Sequence, residues 1–210
     1  MPLPADRVRA ARHLLEELGA ASTEHPGGTL GAHLHRVQQR LDRWEARPAL
    51  QLAGLCHAFY GTDGFATAPM PLGHRATLVE VIGVEAEAIV YLYASCDREA
   101  SYPTLAEPGA AFRDRFTGST FTPTLQQRSD FAELTAANEL DVAHVDAGFR
   151  ASYGASLLAL FTRLRPLLSP SAWQDCVTVL TPPPTGPASR PRNAPPTTGP
   201  RTGVDGVREG

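Results

Sequence analysis

The sequence predicts an all-α fold, a multi-helix domain over residues 1–180 followed by a disordered tail over 181–210. Three observations carry this. Apolar residues recur at helical spacing through most of the first 180 residues, as in Val8, Ala11, Leu14, Leu15 and Leu18. Capping and stop residues punctuate those stretches. From Thr181 the composition changes: 8 of the 19 prolines fall there, with no aromatic residue, leucine or isoleucine. Such a segment buries too little apolar surface to offset the entropy of ordering it.

The elements follow in order. The first amphipathic stretch stops at Gly19, and the turn EHPGG comes next. Thr29 is placed to cap a second helix with the stripe Leu30, Leu34, Val37, Leu41 and Trp44. Pro48 starts a third helix, PALQLAGLCHAFY, which carries no formal charge apart from His57 and therefore belongs at the centre. Gly61, Gly64, Pro69, Pro71 and Gly73 mark a loop. Two helices follow, near 74–82 and 84–95, split by Gly83. Residues 98–128 read as irregular, except that DRFTGSTFTP alternates around Gly118-Ser119 and predicts a short hairpin near 113–123. A long helix is expected from Ser129 to Ala147 and another over 151–168. A last helix is expected behind a capping box of Ser171 and Gln174.

Composition excludes several function classes. The formal net charge is −3, which gives no reason to expect nucleic acid or an anionic membrane as partner. All 19 basic residues are arginine, so Schiff-base and P-loop lysines are excluded and no nucleotide cofactor is indicated. Cys56, Cys96 and Cys176 are odd in number and far apart, which predicts neither disulfide framework nor zinc knuckle. The N-terminus lacks the apolar run of a signal peptide, and no stretch is long enough to span a bilayer, so a cytoplasmic location is expected.

Five of the seven histidines lie between residues 25 and 74. His33 falls between Leu30 and Val37, on the face its helix turns to the core, whereas His35 should be exposed. His57 is the most polar group of the central helix. A buried imidazole needs a hydrogen-bond partner or a metal, since leaving it unpaired costs a few kcal/mol. Two core-facing histidines on consecutive helices can be satisfied by backbone or by each other, or can share a metal ion.

The strings TLGAHLHRV and AGLCHAFYG resemble the first two motifs of the HD superfamily of helical metalloenzymes. There a histidine on one helix precedes a His-Asp pair ending an apolar helix, and a later helix supplies an aspartate. His33 matches the first histidine and His57 the second. In LTAANELDV, Asn138 falls at the last aspartate and Asp141 lies one turn on. Ala58 stands where the defining aspartate should be. The likeness covers residues 12–150 at the level of helix order. More closely, HPGGTLGAHL, AGLCHAFYGTDGF and AANELD are similar to an uncharacterised HD-like family of bacterial proteins with the signature AGLxHxxYGTxxF.

The resemblance implies a metal-dependent enzyme of hydrolase or oxygenase type acting on a small molecule. His33, His57 and Asp141 would be ligands to Fe, Mn or Zn. His25, Asn138 and His144 are further candidates, and Tyr60 and Asp63 are candidate catalytic groups. The alternative is a scaffold that has lost its metal and binds a small ligand or a protein partner.

Overall fold

Backbone hydrogen bonds close where the side-chain pattern places them. The computed structural model describes residues 5–64 and 67–181. Helix α1 runs over Ala5–Glu17. A two-residue hairpin pairs β1 (Glu24–His25) with β2 (Gly28–Thr29) across the Pro26-Gly27 turn. Thr29 caps α2 (Leu30–Arg43) by accepting from the Ala32 N–H. Then come α3 (Pro48–Cys56), a 3₁₀ turn at Leu72–His74, α4 (Arg75–Ile82) and α5 (Val84–Ser95). Gly83, at φ 89°, makes the corner between α4 and α5, a backbone conformation that glycine adopts without strain. A single turn, α6 (Arg98–Ser101), precedes the strands β3 (Phe112–Arg113) and β4 (Thr120–Phe121). The chain ends in α7 (Leu125–Val145), α8 (Ala147–Leu164) and α9 (Pro170–Leu180).

The all-α expectation and the hairpin hold. Phe112 pairs with Phe121 and Arg113 with Thr120. Asp114 shapes the connection by accepting from the N–H groups of Phe116 and Thr117. The predicted tail over 181–210 lies outside the described residues, Thr181 apart. No described helix is long and apolar enough to cross a membrane.

Four boundaries differ from expectation, each for a local reason. Helix α7 starts at Leu125 rather than Ser129, because Thr124 and Gln127 form a reciprocal capping box. Helix α8 starts at Ala147 rather than 151, because Asp146 accepts from the Phe149 N–H and turns the chain there. Helix α9 starts at Pro170 behind a Ser169 cap, not behind Ser171. Helix α3 ends at Cys56 rather than near Tyr60. The Nδ1–H of His57 donates to the Gly54 carbonyl at 2.8 Å, and the backbone tightens into Phe59 N–H to Cys56 O and Gly61 N–H to Ala58 O turns.

Helix α3 is the centre, packed by α1, α2, α4, α5 and α7. Its tightest partner is α2. A methyl group on Gly54 would come within 2.5 Å of the Leu41 Cδ1, so any side chain there must displace the buried Leu41. Charged pairs fasten the rim: Arg47 holds Asp130 of α7 through two nitrogens at 3.0 and 2.5 Å, and Arg40 of α2 holds Asp175 of α9 at 2.5 Å. Arg75 grips the buried Glu87 at 2.6 and 2.8 Å.

Because Gly54 sets the α2–α3 separation, Gly54→Ala is expected to destabilise the protein by about 1–3 kcal/mol through overpacking. Urea melts of the two proteins check this, and an unchanged midpoint would show that the contact yields freely.

Candidate functional site

Helix α7 contributes Asn138 and Asp141, three residues apart and so on one face. They meet His33 from α2 and His57 from the end of α3, both fully buried. Each imidazole commits one nitrogen to an oxygen outside the space between them. The Nδ1–H of His33 donates to Asp141 Oδ2 at 2.7 Å. That of His57 donates to the Gly54 carbonyl. Burial, and then His33 alongside, lower the pKa of His57 to about 3, so its ring is neutral and its Nε2 carries a lone pair.

Both Nε2 atoms lie 3.0 Å from the same atom, Asn138 Oδ1. The rings stand edge to face with centroids 5.3 Å apart. The amide is oriented by its Nδ2, which donates to Glu139 Oε1 at 3.3 Å. In the Nδ1–H tautomers two imidazole lone pairs and an amide oxygen therefore face one another without a proton between them. Such a set is satisfied by a cation, by an added proton, or by turning the amide so that its NH₂ donates to both rings.

Asp141 is the correction to the expected ligand set. It sits behind His33, and Arg36 takes its two oxygens at 2.8 and 2.9 Å. Burial raises the Asp141 carboxyl, but the hydrogen bonds from His33 and Arg36 outweigh it and hold the group below its ordinary pKa. It orients the ring instead of facing the space between the histidines. Among the described residues no group of three or more His, Cys, Asp or Glu could hold a metal ion. Any centre here is completed by Asn138.

The other predicted residues divide. His25 stacks on His33 with ring centroids 4.0 Å apart, and its Nδ1–H donates to the Pro26 carbonyl at 3.1 Å. Burial and the neighbouring His33 lower its pKa to about 4. Gly27 seats this hairpin against α7, where a Cβ would meet Val145 Cγ2 at 2.1 Å. Tyr60 is not aimed at the histidines. Its hydroxyl donates to Glu87 at 3.0 Å. Asp63 is exposed and accepts from the Arg98 N–H at 3.2 Å. His144 is exposed and faces a separate groove. His35, expected to be exposed, is partly covered between Arg12 and Gln39.

Sequence reasoning missed Arg36, Glu139 and Tyr93. Arg36 follows His33 by three residues, so helical spacing could have flagged it, whereas Glu139 adjoins Asn138 and spacing gives no signal for it. Tyr93 of α5 stands edge-on to His57 with centroids 5.4 Å apart, and only the fold brings it there. Among the described residues its buried hydroxyl has no hydrogen-bond partner. Burial raises its pKa well above the ordinary phenol value. Arg98 reaches Glu139 at 3.5 Å from the same side.

Comparison with known proteins finds one family model, a domain of unknown function (DUF6817), matching residues 14–98. That span holds His25, His33 and His57 but not α7. No curated protein and no solved structure matches the chain.

Replacing His57 with Ala is expected to cost about 2 kcal/mol or more, against about 0.5 kcal/mol for His35→Ala, since His57 is wholly buried with its Nδ1–H bonded to the Gly54 carbonyl, whereas His35 is only partly covered. Equal, small losses in denaturant melts would contradict the burial argument. The low His57 pKa also fixes a pH dependence. Below pH 6.5 the unfolded chain takes up a proton that the folded ring refuses, so the stability of metal-free protein falls as pH drops from 6.5 toward about 3. One such histidine contributes up to about 1.4 kcal/mol per pH unit. His25 adds in the same direction, less strongly because it is only half-buried. Melts at several pH values on wild type and His57→Gln should show a shallower slope in the variant, and identical slopes would rule this out.

Proposed function

We propose that this chain is a metal-dependent enzyme of HD-like type acting on a small molecule, with His33, His57 and Asn138 holding a divalent ion. The observation that carries the reading is the convergence of the two Nε2 lone pairs on Asn138 Oδ1, with both Nδ1–H groups already bonded to oxygens. Metal-bound histidines usually donate the other ring N–H to a carboxylate or a carbonyl, which fixes the tautomer. The two Nε2 atoms, each 3.0 Å from Asn138 Oδ1, would be the nitrogen donors to such an ion and the amide oxygen the third. The mixed nitrogen and oxygen set suits Fe, Mn or Zn.

Such an ion supplies Lewis acidity, or oxygen activation if it is iron. The chain's own groups do the rest. Asp141 and the Gly54 carbonyl hold the imidazoles in register. Glu139 holds the amide oxygen toward them. The Tyr93 hydroxyl, buried without a partner among the described residues, is available to donate to a substrate oxygen beside His57.

One observation favours the metal-free scaffold as a second reading. All three donors are neutral, and turning over the Asn138 amide would satisfy both histidines without an ion. Elemental analysis of protein purified without a chelating tag separates the two. The enzyme reading expects near-stoichiometric Fe, Mn or Zn, lost in His57→Ala. It also expects affinity at least about tenfold higher in Asn138→Asp, where an anionic ligand replaces a neutral one. Absence of metal from both wild type and Asn138→Asp would leave the scaffold.

A further inference from the structure

A groove of about 1010 Å³ opens on the other side of Asp141, between α2, the α7–α8 corner and α9. Its walls carry Arg36, Arg40, Arg43 and Arg150. Two are already neutralised, Arg36 by Asp141 and Arg40 by Asp175. Arg43 and Arg150 are exposed, and neither has an ion-pair partner among the described residues. The groove therefore keeps two uncompensated positive charges in a chain whose formal net charge is −3.

Two further features point to a ligand. Arg40 is only 5% exposed, and its Nε is buried without a hydrogen-bond partner among the described residues. Its Nη1 is held by Asp175, so the guanidinium is fixed on the groove wall with donor capacity to spare. The first turn of α9 also faces the groove through Pro170 and Ser171. There the Ser171 N–H has no intrahelical acceptor, and the positive end of the helix dipole adds to the field. Stabilising the C-terminus of α2 would account for Arg40 and Arg43, but not for Arg36 or Arg150.

We propose that this groove binds a small phosphorylated molecule carrying at least two negative charges. Arginine forks with a helix N-terminus match phosphate oxygens. The volume leaves room for an organic moiety beyond the phosphates. Two net positive charges in a chain of formal net charge −3 are too few to hold a continuous polyanion, which disfavours a nucleic-acid strand. The site shares only Asp141 and its partner Arg36 with the histidine centre and does not depend on the metal reading.

The test is calorimetric titration of the full chain with inorganic pyrophosphate in EDTA at low salt, with citrate and a single-stranded oligonucleotide in parallel. Pyrophosphate should bind wild type and His57→Ala alike, and the Arg43→Ala/Arg150→Ala double variant at least about tenfold more weakly. Both arginines are exposed and without an ion-pair partner among the described residues, so the variant should lose no more stability than the small dipole contribution of Arg43 to α2. Failure of wild type to bind at about 10 mM, or equal affinity in the double variant, would overturn the proposal. So would citrate binding as tightly as pyrophosphate, or the oligonucleotide binding more tightly.

Discussion

One helix holds both nitrogens of one ring. Asn138 and Asp141 are three residues apart on α7, and His33 lies between them, Nδ1 on the carboxylate and Nε2 on the amide oxygen. The Nδ1–H bond to Asp141, with Asn138 set against the other nitrogen, fixes the rotation of α2 against α7. Arg36, one turn along α2, closes the same carboxylate from outside. Helix α3 is then positioned by two further constraints. Gly54 lets it approach Leu41 of α2, and the Gly54 carbonyl catches His57 and ends the helix. The same glycine thus sets the interhelical distance and the tautomer of the second imidazole.

The consequence is electrostatic. A carboxylate that faced the open space between the rings would balance an ion directly. Here the carboxylates stand one group away, so negative charge reaches the centre only through the basicity of His33 and the polarised amide of Asn138. A centre with two imidazoles and an amide is a weaker trap than one with two aspartates. It also leaves more of the coordination sphere to a substrate or to water. Asp141 joins this centre to the arginine groove, because Arg36 lies between the buried ring and the groove wall.

Much of this was legible in the sequence. The apolar run around His57 marked a central helix, and Thr29, Pro48 and Gly83 marked ends that the backbone adopts. The pairing of His33 with His57 followed from their core-facing places on consecutive helices, and the nearness of Asn138 and Asp141 was what the resemblance to the HD motifs implied. Which ring nitrogen each α7 residue would meet did not follow, because that depends on the rotation of α7, and α7 buries residues around most of its circumference. The expected start fell on Ser129-Asp130, which also resembles a start, whereas the Thr124–Gln127 box opens the helix at Leu125, four residues earlier. Tyr60 looked catalytic beside a glycine turn, yet Glu87, far along the chain, claims its hydroxyl.

The account depends most on the protons of two rings. Nitrogen-15 NMR of histidine-labelled, metal-free protein at neutral pH reads them directly. His33 and His57 should both show a protonated Nδ1 and an unprotonated Nε2, and adding zinc should shift only the Nε2 resonances. A protonated Nε2 on His57, or on both rings, would mean that no lone pairs converge on Asn138, and the centre described here would not exist.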